Sequence, residues 1–154
     1  MNGHQRNAEP PDRFTYREEA KLVGGTHCPQ CGLIVREGRW TRDRWPSDGP
    51  ERTCPACARI RDRYPAGVIE LTGDLGGLAT ELGNLIRNVE KAEGQEHPLE
   101  RLIELEVSEE RLYATTTGVH LARRVGSALK RQLKDRVVIR YGEEENLVRI
   151  EGTL

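Results

Sequence analysis

The sequence predicts an α+β protein in which a small four-cysteine zinc module precedes a ferredoxin-like domain with one extra strand. Three observations lead to this prediction. Two C-P-x-C pairs, Cys28 with Cys31 and Cys54 with Cys57, are separated by 22 residues, a spacing typical of paired zinc knuckles. Apolar residues at steps of three and four mark two helices after position 67. Short runs rich in β-branched and other apolar residues mark strands around these helices.

Composition and charge limit the classes of function that fit the chain. Of its 154 residues 36% are hydrophobic and 32% charged, and the mean hydropathy is -0.69. The formal net charge is -1, so any affinity for nucleic acid must come from local basic patches. No apolar run approaches the roughly 20 residues of a membrane span, and the N-terminus lacks the apolar segment of a secretory signal. We therefore expect a soluble, cytoplasmic protein.

All four cysteines lie within positions 28–57, and they are the predicted ligands of one structural zinc ion. Two disulfides are the alternative, but the reducing cytosol favours zinc. A thioredoxin-like redox role is disfavoured because that chemistry uses a single C-x-x-C pair. A four-cysteine zinc site has no open coordination position. The histidines form no zinc-protease motif, and no phosphate-binding or serine-hydrolase motif is present. We therefore expect no catalysis.

The N-terminal half of the chain divides into an arm and the zinc module. Residues 1–25 are polar and are predicted to form a flexible arm, with ordering on a partner as the alternative. The module covers 26–67. A knuckle at 28–32, a hairpin at 33–41, a loop at 43–53 and a helix at 57–64 follow in the order of a treble-clef finger. A zinc ribbon is the alternative if the second cysteine pair lies in a hairpin.

Residues 68–154 are predicted to form the ferredoxin-like domain. A strand at 68–71 leads to a helix that Asp74 caps and that Gly94 and Pro98 end. Strands at 102–107 and 111–116 precede a helix at 118–133, capped by Thr117, and strands at 137–141 and 146–150 follow. The first six elements have the order of a split βαβ unit, with both helices on one face of the sheet. The last strand is expected to form a hairpin at an edge.

The zinc module carries a first candidate surface for nucleic acid. Between positions 36 and 63 there are eight arginines, no lysine and five acidic residues. Arginine binds phosphate bidentately and stacks on bases. Two tryptophans among the arginines either stack on unpaired bases or cover the zinc site. The predicted contact residues of this surface are Arg39, Trp40, Arg42, Arg44, Trp45, Arg59 and Arg63.

The second predicted helix carries the other basic patch, made of Arg123, Arg124, Lys130 and Arg131. Thr116 and Thr117 precede the helix, and their hydroxyls and its free N–H groups are a candidate phosphate site that His120 would join. The alternative is a solvated helix face whose cations favour the helix C-terminus. The rest of 68–154 is acidic overall, which confines nucleic-acid contact in this domain to the helix.

Four motifs give the chain a family resemblance. They are H-C-P-x-C-G at 27–32, C-P-x-C at 54–57 before an arginine-rich helix, A-G-x-I-x-L at 66–71, and T-T-x-x-H-L-A-R-R-V-G-x-A-L-K at 116–130. Across 26–152 the chain resembles a group of uncharacterised bacterial four-cysteine zinc proteins. That group is similar to the N-terminal half of the archaeal and eukaryal export adaptor of the large ribosomal subunit, which has more cysteine pairs. The resemblance implies RNA or ribosome binding without catalysis.

Together these observations predict a non-catalytic zinc protein that binds structured RNA, with ribosomal RNA or a ribosomal subunit as the partner. A protein–protein interaction adaptor built on the zinc module is the second hypothesis. A zinc-dependent enzyme or redox switch is the third. Salt dependence separates the first two hypotheses, because phosphate contacts weaken steeply as ionic strength rises and apolar interfaces do not.

Overall fold

The structure is a computed structural model that describes residues 22–44, 46–142 and 147–154. The predicted arm up to position 21, Trp45, and residues 143–146, which include the first residue of the last predicted strand, lie outside the described residues. Within the described part, the chain forms seven strands and three α-helices, and the predicted α+β class is confirmed. None of the described helices has the length and apolar composition required to cross a bilayer.

The elements follow one another in the predicted order. They are β1 (Ile34–Arg36), β2 (Arg39–Thr41), α1 (Pro55–Asp62), β3 (Gly67–Thr72), α2 (Ala79–Glu96), β4 (Leu102–Val107), β5 (Arg111–Thr116), α3 (Val119–Leu133), β6 (Val137–Tyr141) and β7 (Val148–Thr153). Short 3₁₀ turns at Gly76–Leu78 and Lys134–Arg136 precede α2 and follow α3.

Strands β1 and β2 form a two-stranded hairpin. Val35 and Trp40 of this hairpin are buried in a small hydrophobic cluster, the cysteine cluster, together with Cys28, Leu33, Cys54 and Ala56. The turn between the two strands places Glu37 and Gly38 at φ 51° and 76°, a left-handed conformation that glycine adopts without strain. The end of the predicted arm belongs to this cluster, because Leu22 packs against it and Gly25 N–H donates to the Val35 carbonyl at 3.0 Å.

The other five strands form one sheet in the order β4-β5-β3-β7-β6. Only β3 and β7 are parallel, and the other neighbours are antiparallel. The prediction that the last strand lies at an edge is wrong, because β7 lies between β3 and β6. Gly152 allows this placement, since a Cβ there would lie 2.7 Å from the Leu71 side chain and 2.8 Å from the Arg136 carbonyl oxygen. The β7 residues Val148 and Ile150 are buried as a result.

The predicted caps of α2 and α3 are also corrected. Asp74 caps no helix, because a 3₁₀ turn intervenes and α2 begins at Ala79 without a side-chain cap. Helix α2 continues through the buried Gly94 and ends at Glu96, two residues before Pro98. At α3 the N-cap is Gly118, and the Thr117 hydroxyl donates instead to the Leu99 carbonyl at 2.6 Å.

Helices α2 and α3 pack on one face of the five-stranded sheet, as expected, and share a single hydrophobic core with it. Apolar residues at alternate positions of the strands, such as Ile69 and Leu71 of β3, face this core. Helix α3 approaches β3 closely at Gly67, where a Cβ would lie 2.4 Å from the Cβ of Ala122.

This close approach predicts a stability difference between two glycine substitutions. In Gly67→Ala the new methyl group would overlap Ala122 and the Thr116 hydroxyl, so the free energy of unfolding should fall by about 1–3 kcal/mol. Gly77→Ala is the control, because no heavy atom outside the residue and its chain neighbours lies within 4 Å of its added Cβ. Urea unfolding of both variants measures the difference, and equal midpoints would contradict the packing.

Candidate metal centre

The first cysteine pair lies in a tight turn that leads into β1. Gly32 N–H donates to the Cys28 carbonyl and Cys28 N–H donates to the Leu33 carbonyl, both at 2.9 Å. Gly32 adopts φ 79°, the left-handed conformation that this turn requires. The turn brings the side chains of Cys28 and Cys31 to the same side of the chain, where the second pair meets them.

The second pair lies at the start of α1, as predicted, although the helix begins at Pro55, two residues earlier than expected. Cys54 is the N-cap, and its sulfur accepts the Cys57 N–H at 3.4 Å. Proline in the first helical position lacks the N–H that would otherwise be unpaired. The Cys54 N–H donates to the Cys28 sulfur at 3.3 Å, so the two turns are hydrogen-bonded to each other.

The four sulfurs are positioned to hold one metal ion. All four Sγ atoms lie within 4.8 Å of one another, and the Cys31 and Cys54 sulfurs are 3.7 Å apart. Zinc–sulfur bonds of about 2.3 Å in a tetrahedron place neighbouring sulfurs about 3.8 Å apart, so the observed spacing fits zinc. None of the four cysteines is in a disulfide, which removes the alternative of two bridges.

The thiols of Cys28 and Cys54 differ in acidity. Burial raises the pKa of the Cys54 thiol to about 12. Burial also acts to raise the pKa of Cys28, but backbone hydrogen bonds, first among them the one from Cys54, lower it to about 6. Metal ions bind thiolates, so thiols that are protonated before loading, such as that of Cys54, would release their protons as the metal binds.

Arg101 contacts this centre from the segment that precedes β4, and the sequence analysis missed it. Its guanidinium donates to the sulfurs of Cys54 at 3.1 Å, Cys31 at 3.5 Å and Cys57 at 3.6 Å. Burial acts to lower the pKa of Arg101, but the negative charges of these thiolates raise it. Four thiolates and one zinc ion carry a charge of about -2, which the guanidinium reduces to about -1. No local pattern marks an arginine 44 residues after Cys57 as part of the site.

The backbone holds Arg101 in this position. Its N–H donates to the Thr117 hydroxyl at 2.9 Å, and its carbonyl accepts the Thr117 N–H at 2.8 Å. The same hydroxyl donates to the Leu99 carbonyl, and the Leu99 side chain packs against the cysteine cluster. Thr117 therefore fixes the segment that presents Arg101 to the sulfurs.

Trp40 is part of the core of the cysteine cluster. Only 7% of its surface is exposed, and it packs with Cys28, Val35 and Cys54. The ring is therefore not available to stack on bases, and Trp40 belongs to the small core around the cysteines. The other tryptophan, Trp45, lies outside the described residues.

The arginines predicted for this surface fall into two groups. Arg39, Arg44 and Arg63 are exposed. Arg42 Nε donates to the Gly94 carbonyl at 3.2 Å, and an Arg59 N–H donates to the Tyr64 carbonyl at 3.0 Å. These two side chains therefore have a role in the fold, although Arg42 is still exposed.

The predicted phosphate site at the start of α3 is filled by the protein itself. Thr116 and Thr117 are buried, and the Thr116 hydroxyl donates to the Gly118 carbonyl at 2.8 Å. The Glu100 carboxylate accepts the Leu121 N–H at 2.9 Å, so it occupies the position of an anion at the helix N-terminus. These contacts contradict the proposed phosphate contacts of both threonines.

The basic residues of α3 are exposed, but two of them have partners. Arg124 Nε lies 3.2 Å from a Glu93 carboxylate oxygen. The Arg123 guanidinium lies over the Tyr141 ring, 5.1 Å from its centroid. Lys130 and Arg131, in the last turn, project into solvent. The patch is therefore most available for phosphate in the C-terminal half of the helix.

Comparison of the chain with protein-family models, with curated proteins and with solved structures found no significant match.

The contacts of Arg101 predict that it contributes to metal affinity. Arg101→Met keeps most of the side-chain volume and removes the guanidinium contacts to three sulfurs, so the dissociation constant for zinc should rise about 10- to 100-fold. Competition with a chromogenic chelator on the zinc-loaded full chain measures the change. Arg87→Met, an exposed arginine of α2, is the control. Equal zinc retention by the two variants would rule out the role of Arg101.

Proposed function

We propose that the chain is a non-catalytic zinc protein that binds structured RNA through one basic surface. The observation that supports this proposal is that one arginine from each basic patch contacts the last turn of α2. Arg42 of the cysteine module contacts the Gly94 carbonyl, and Arg124 of α3 contacts the Glu93 carboxylate. Two basic patches that are far apart in the sequence thus border the same part of the molecule.

In this proposal zinc has a structural role. The module is too small to bury a core that would hold it folded, so the metal replaces the core. The knuckle, hairpin and helix follow in treble-clef order, and we infer a treble-clef module. The five-stranded sheet is interpreted as a ferredoxin-like unit in which the final strand is inserted beside the first.

The groups proposed to contact phosphates are exposed cations of the cysteine module and of α3: Arg39, Arg42, Arg44, Arg63, Arg123, Arg124, Lys130 and Arg131. Lys130 and Arg131 extend the surface toward the start of α2, where the neighbouring Gln132 donates to Glu81 at 3.0 Å. Arginine predominates among these cations, and its planar guanidinium suits bidentate contacts with phosphate. The Arg123–Tyr141 pair adds an aromatic ring that is 60% exposed, a surface on which an unpaired base would stack. A ribosomal partner is proposed from the resemblance to the bacterial zinc proteins and, through them, to the ribosomal export adaptor.

The first experiment tests ribosome association directly. Tagged protein in a low-salt lysate is sedimented through a sucrose gradient, and a parallel gradient contains high salt. We expect co-migration with a ribosomal subunit at low salt and release at high salt, because phosphate contacts weaken as salt rises. Salt-resistant co-migration with other proteins would favour the adaptor hypothesis. Protein at the top of both gradients would contradict the ribosomal proposal.

A charge-neutralising pair tests the helix surface. Lys130→Gln/Arg131→Gln should weaken RNA binding and reduce the slope of log affinity against log salt by about two, one for each phosphate that is no longer neutralised. Arg140→Gln/Arg149→Gln is the matched control, since these exposed arginines lie across from each other on β6 and β7. They lie on the sheet face opposite the helices, because their neighbour Ile150 faces the core. If both pairs changed the slope equally, α3 would have no special role.

A further inference from the structure

A second group of metal-binding side chains lies away from the cysteines. Among the described residues, Glu93, His97 and His120 place one candidate ligand atom each within 4.8 Å of one another. Glu93 lies in the last turn of α2, His97 is the C-cap of that helix, and His120 lies in the first turn of α3. The packing of α2 against α3 brings them together, and the four-cysteine centre uses none of them.

The distances fit a metal with nitrogen and oxygen ligands. Metal bonds of about 2.0–2.1 Å place neighbouring ligand atoms about 3.0 Å apart at right angles and about 3.4 Å apart in a tetrahedron. The Nε2 atom of His120 lies 3.0 Å from Oε2 of Glu93. The rings of His97 and His120 have their centroids 5.1 Å apart and lie 72° from parallel, so they are edge to face, not stacked.

The surrounding contacts orient the carboxylate. Arg124 Nε contacts Oε1 of Glu93 at 3.2 Å, which leaves Oε2 directed at His120. Outer partners of this kind fix the direction of a ligand group in metal sites. The Glu93 side chain is only 15% exposed, whereas that of His120 is 42% exposed and His97 is open to solvent. An ion therefore has a route to the cluster.

The backbone also fixes His97. Its N–H donates to the Glu93 carbonyl at 2.8 Å, and its carbonyl accepts the Glu100 N–H at 2.9 Å. A simple ion-pair network of His120, Glu93 and Arg124 accounts for the first two residues of the cluster. It does not require the ring of His97, which contacts the His120 ring edge to face and places a ligand atom within 4.8 Å of those of His120 and Glu93.

We propose that Glu93, His97 and His120 bind a divalent transition-metal ion, separately from the four cysteines. Two imidazoles and one carboxylate suit Zn²⁺, Fe²⁺, Co²⁺ or Ni²⁺, and three protein ligands leave further positions for water. The metal proposal does not require the proposed RNA binding, although Arg124 contacts Glu93 and also belongs to the proposed RNA surface. The proposal concerns metal binding alone and includes no reaction.

The test titrates Co²⁺ into the full chain after the cysteine centre has been loaded with one equivalent of zinc. Calorimetry should detect one further equivalent of bound Co²⁺. Absorption spectra should then show cobalt bands without a sulfur-to-cobalt charge-transfer band, because the ligands are nitrogen and oxygen. The proposal would be overturned if calorimetry detected no binding of Co²⁺ to the zinc-loaded chain. It would also be overturned if the bound cobalt were found only as a sulfur-ligated species that had displaced zinc.

Single substitutions assign the ligands. His97→Ala, His120→Ala and Glu93→Gln should each weaken Co²⁺ binding at least about tenfold while the zinc content of the cysteine centre stays at one per chain. Glu96→Gln, an exposed carboxylate of the same helix, and His4→Ala, a histidine distant from the cluster in the sequence, are matched controls that should bind as the parent does. His97→Ala is decisive, because the ion-pair network does not require that ring. Unchanged binding in this variant would reject the three-ligand site.

Discussion

The contact of one guanidinium with three cysteine sulfurs connects the two hydrophobic clusters that the described residues form. A zinc centre with four thiolates is an anion, and an anion that is partly buried against Trp40 and Leu99 is costly unless a cation or hydrogen-bond donors compensate it. Arg101 supplies both, since its planar group offers several N–H donors in fixed directions. A lysine would bring the charge but could not donate with the same fixed geometry. The cysteine module is therefore completed by a residue from the start of the β4–β5 hairpin.

The short segment 97–101, between α2 and β4, has contacts at nearly every position. His97 faces the Glu93 and His120 side chains, Leu99 packs on the cysteine cluster, and Glu100 accepts an N–H at the start of α3. Arg101 then reaches the sulfurs. This explains why α2 must continue past Gly94, since a helix that ended there would displace all four side chains. The Gly94 carbonyl also accepts a hydrogen bond from the Arg42 guanidinium, and this bond links the end of α2 to the cysteine module.

Local signals in the sequence predicted the elements and the cysteines, whereas contacts between distant segments could not be predicted. Strands β4 and β5 begin and end at the expected residues, because their apolar runs flank a clear polar turn. Each C-P-x-C motif carries two ligands on one turn, so only the meeting of the motifs is non-local. The place of β7 instead depends on its parallel pairing with β3 and on the lack of a side chain at Gly152. Thr117 has the sequence position of a helix cap, but the Leu99 carbonyl competes for its hydroxyl. Arg101 has no motif, since its partners come from other elements.

The paired charges on the open face of the sheet restrict where an anionic partner can bind. Arg111 contacts Glu70 at 2.7 Å across β3 and β5, and Arg140 contacts Glu151 at 3.3 Å across β6 and β7. Each of these two arginines has an acidic neighbour within the sheet, so this face offers little net positive potential to a phosphate backbone. Glu100 likewise already neutralises the positive end of α3. The last turns of α3 and the exposed arginines of the cysteine module offer more positive charge than the open face of the sheet or the N-terminus of α3 does. An RNA partner would therefore have to contact the helix side of the molecule and the module, while the sheet faces away from it.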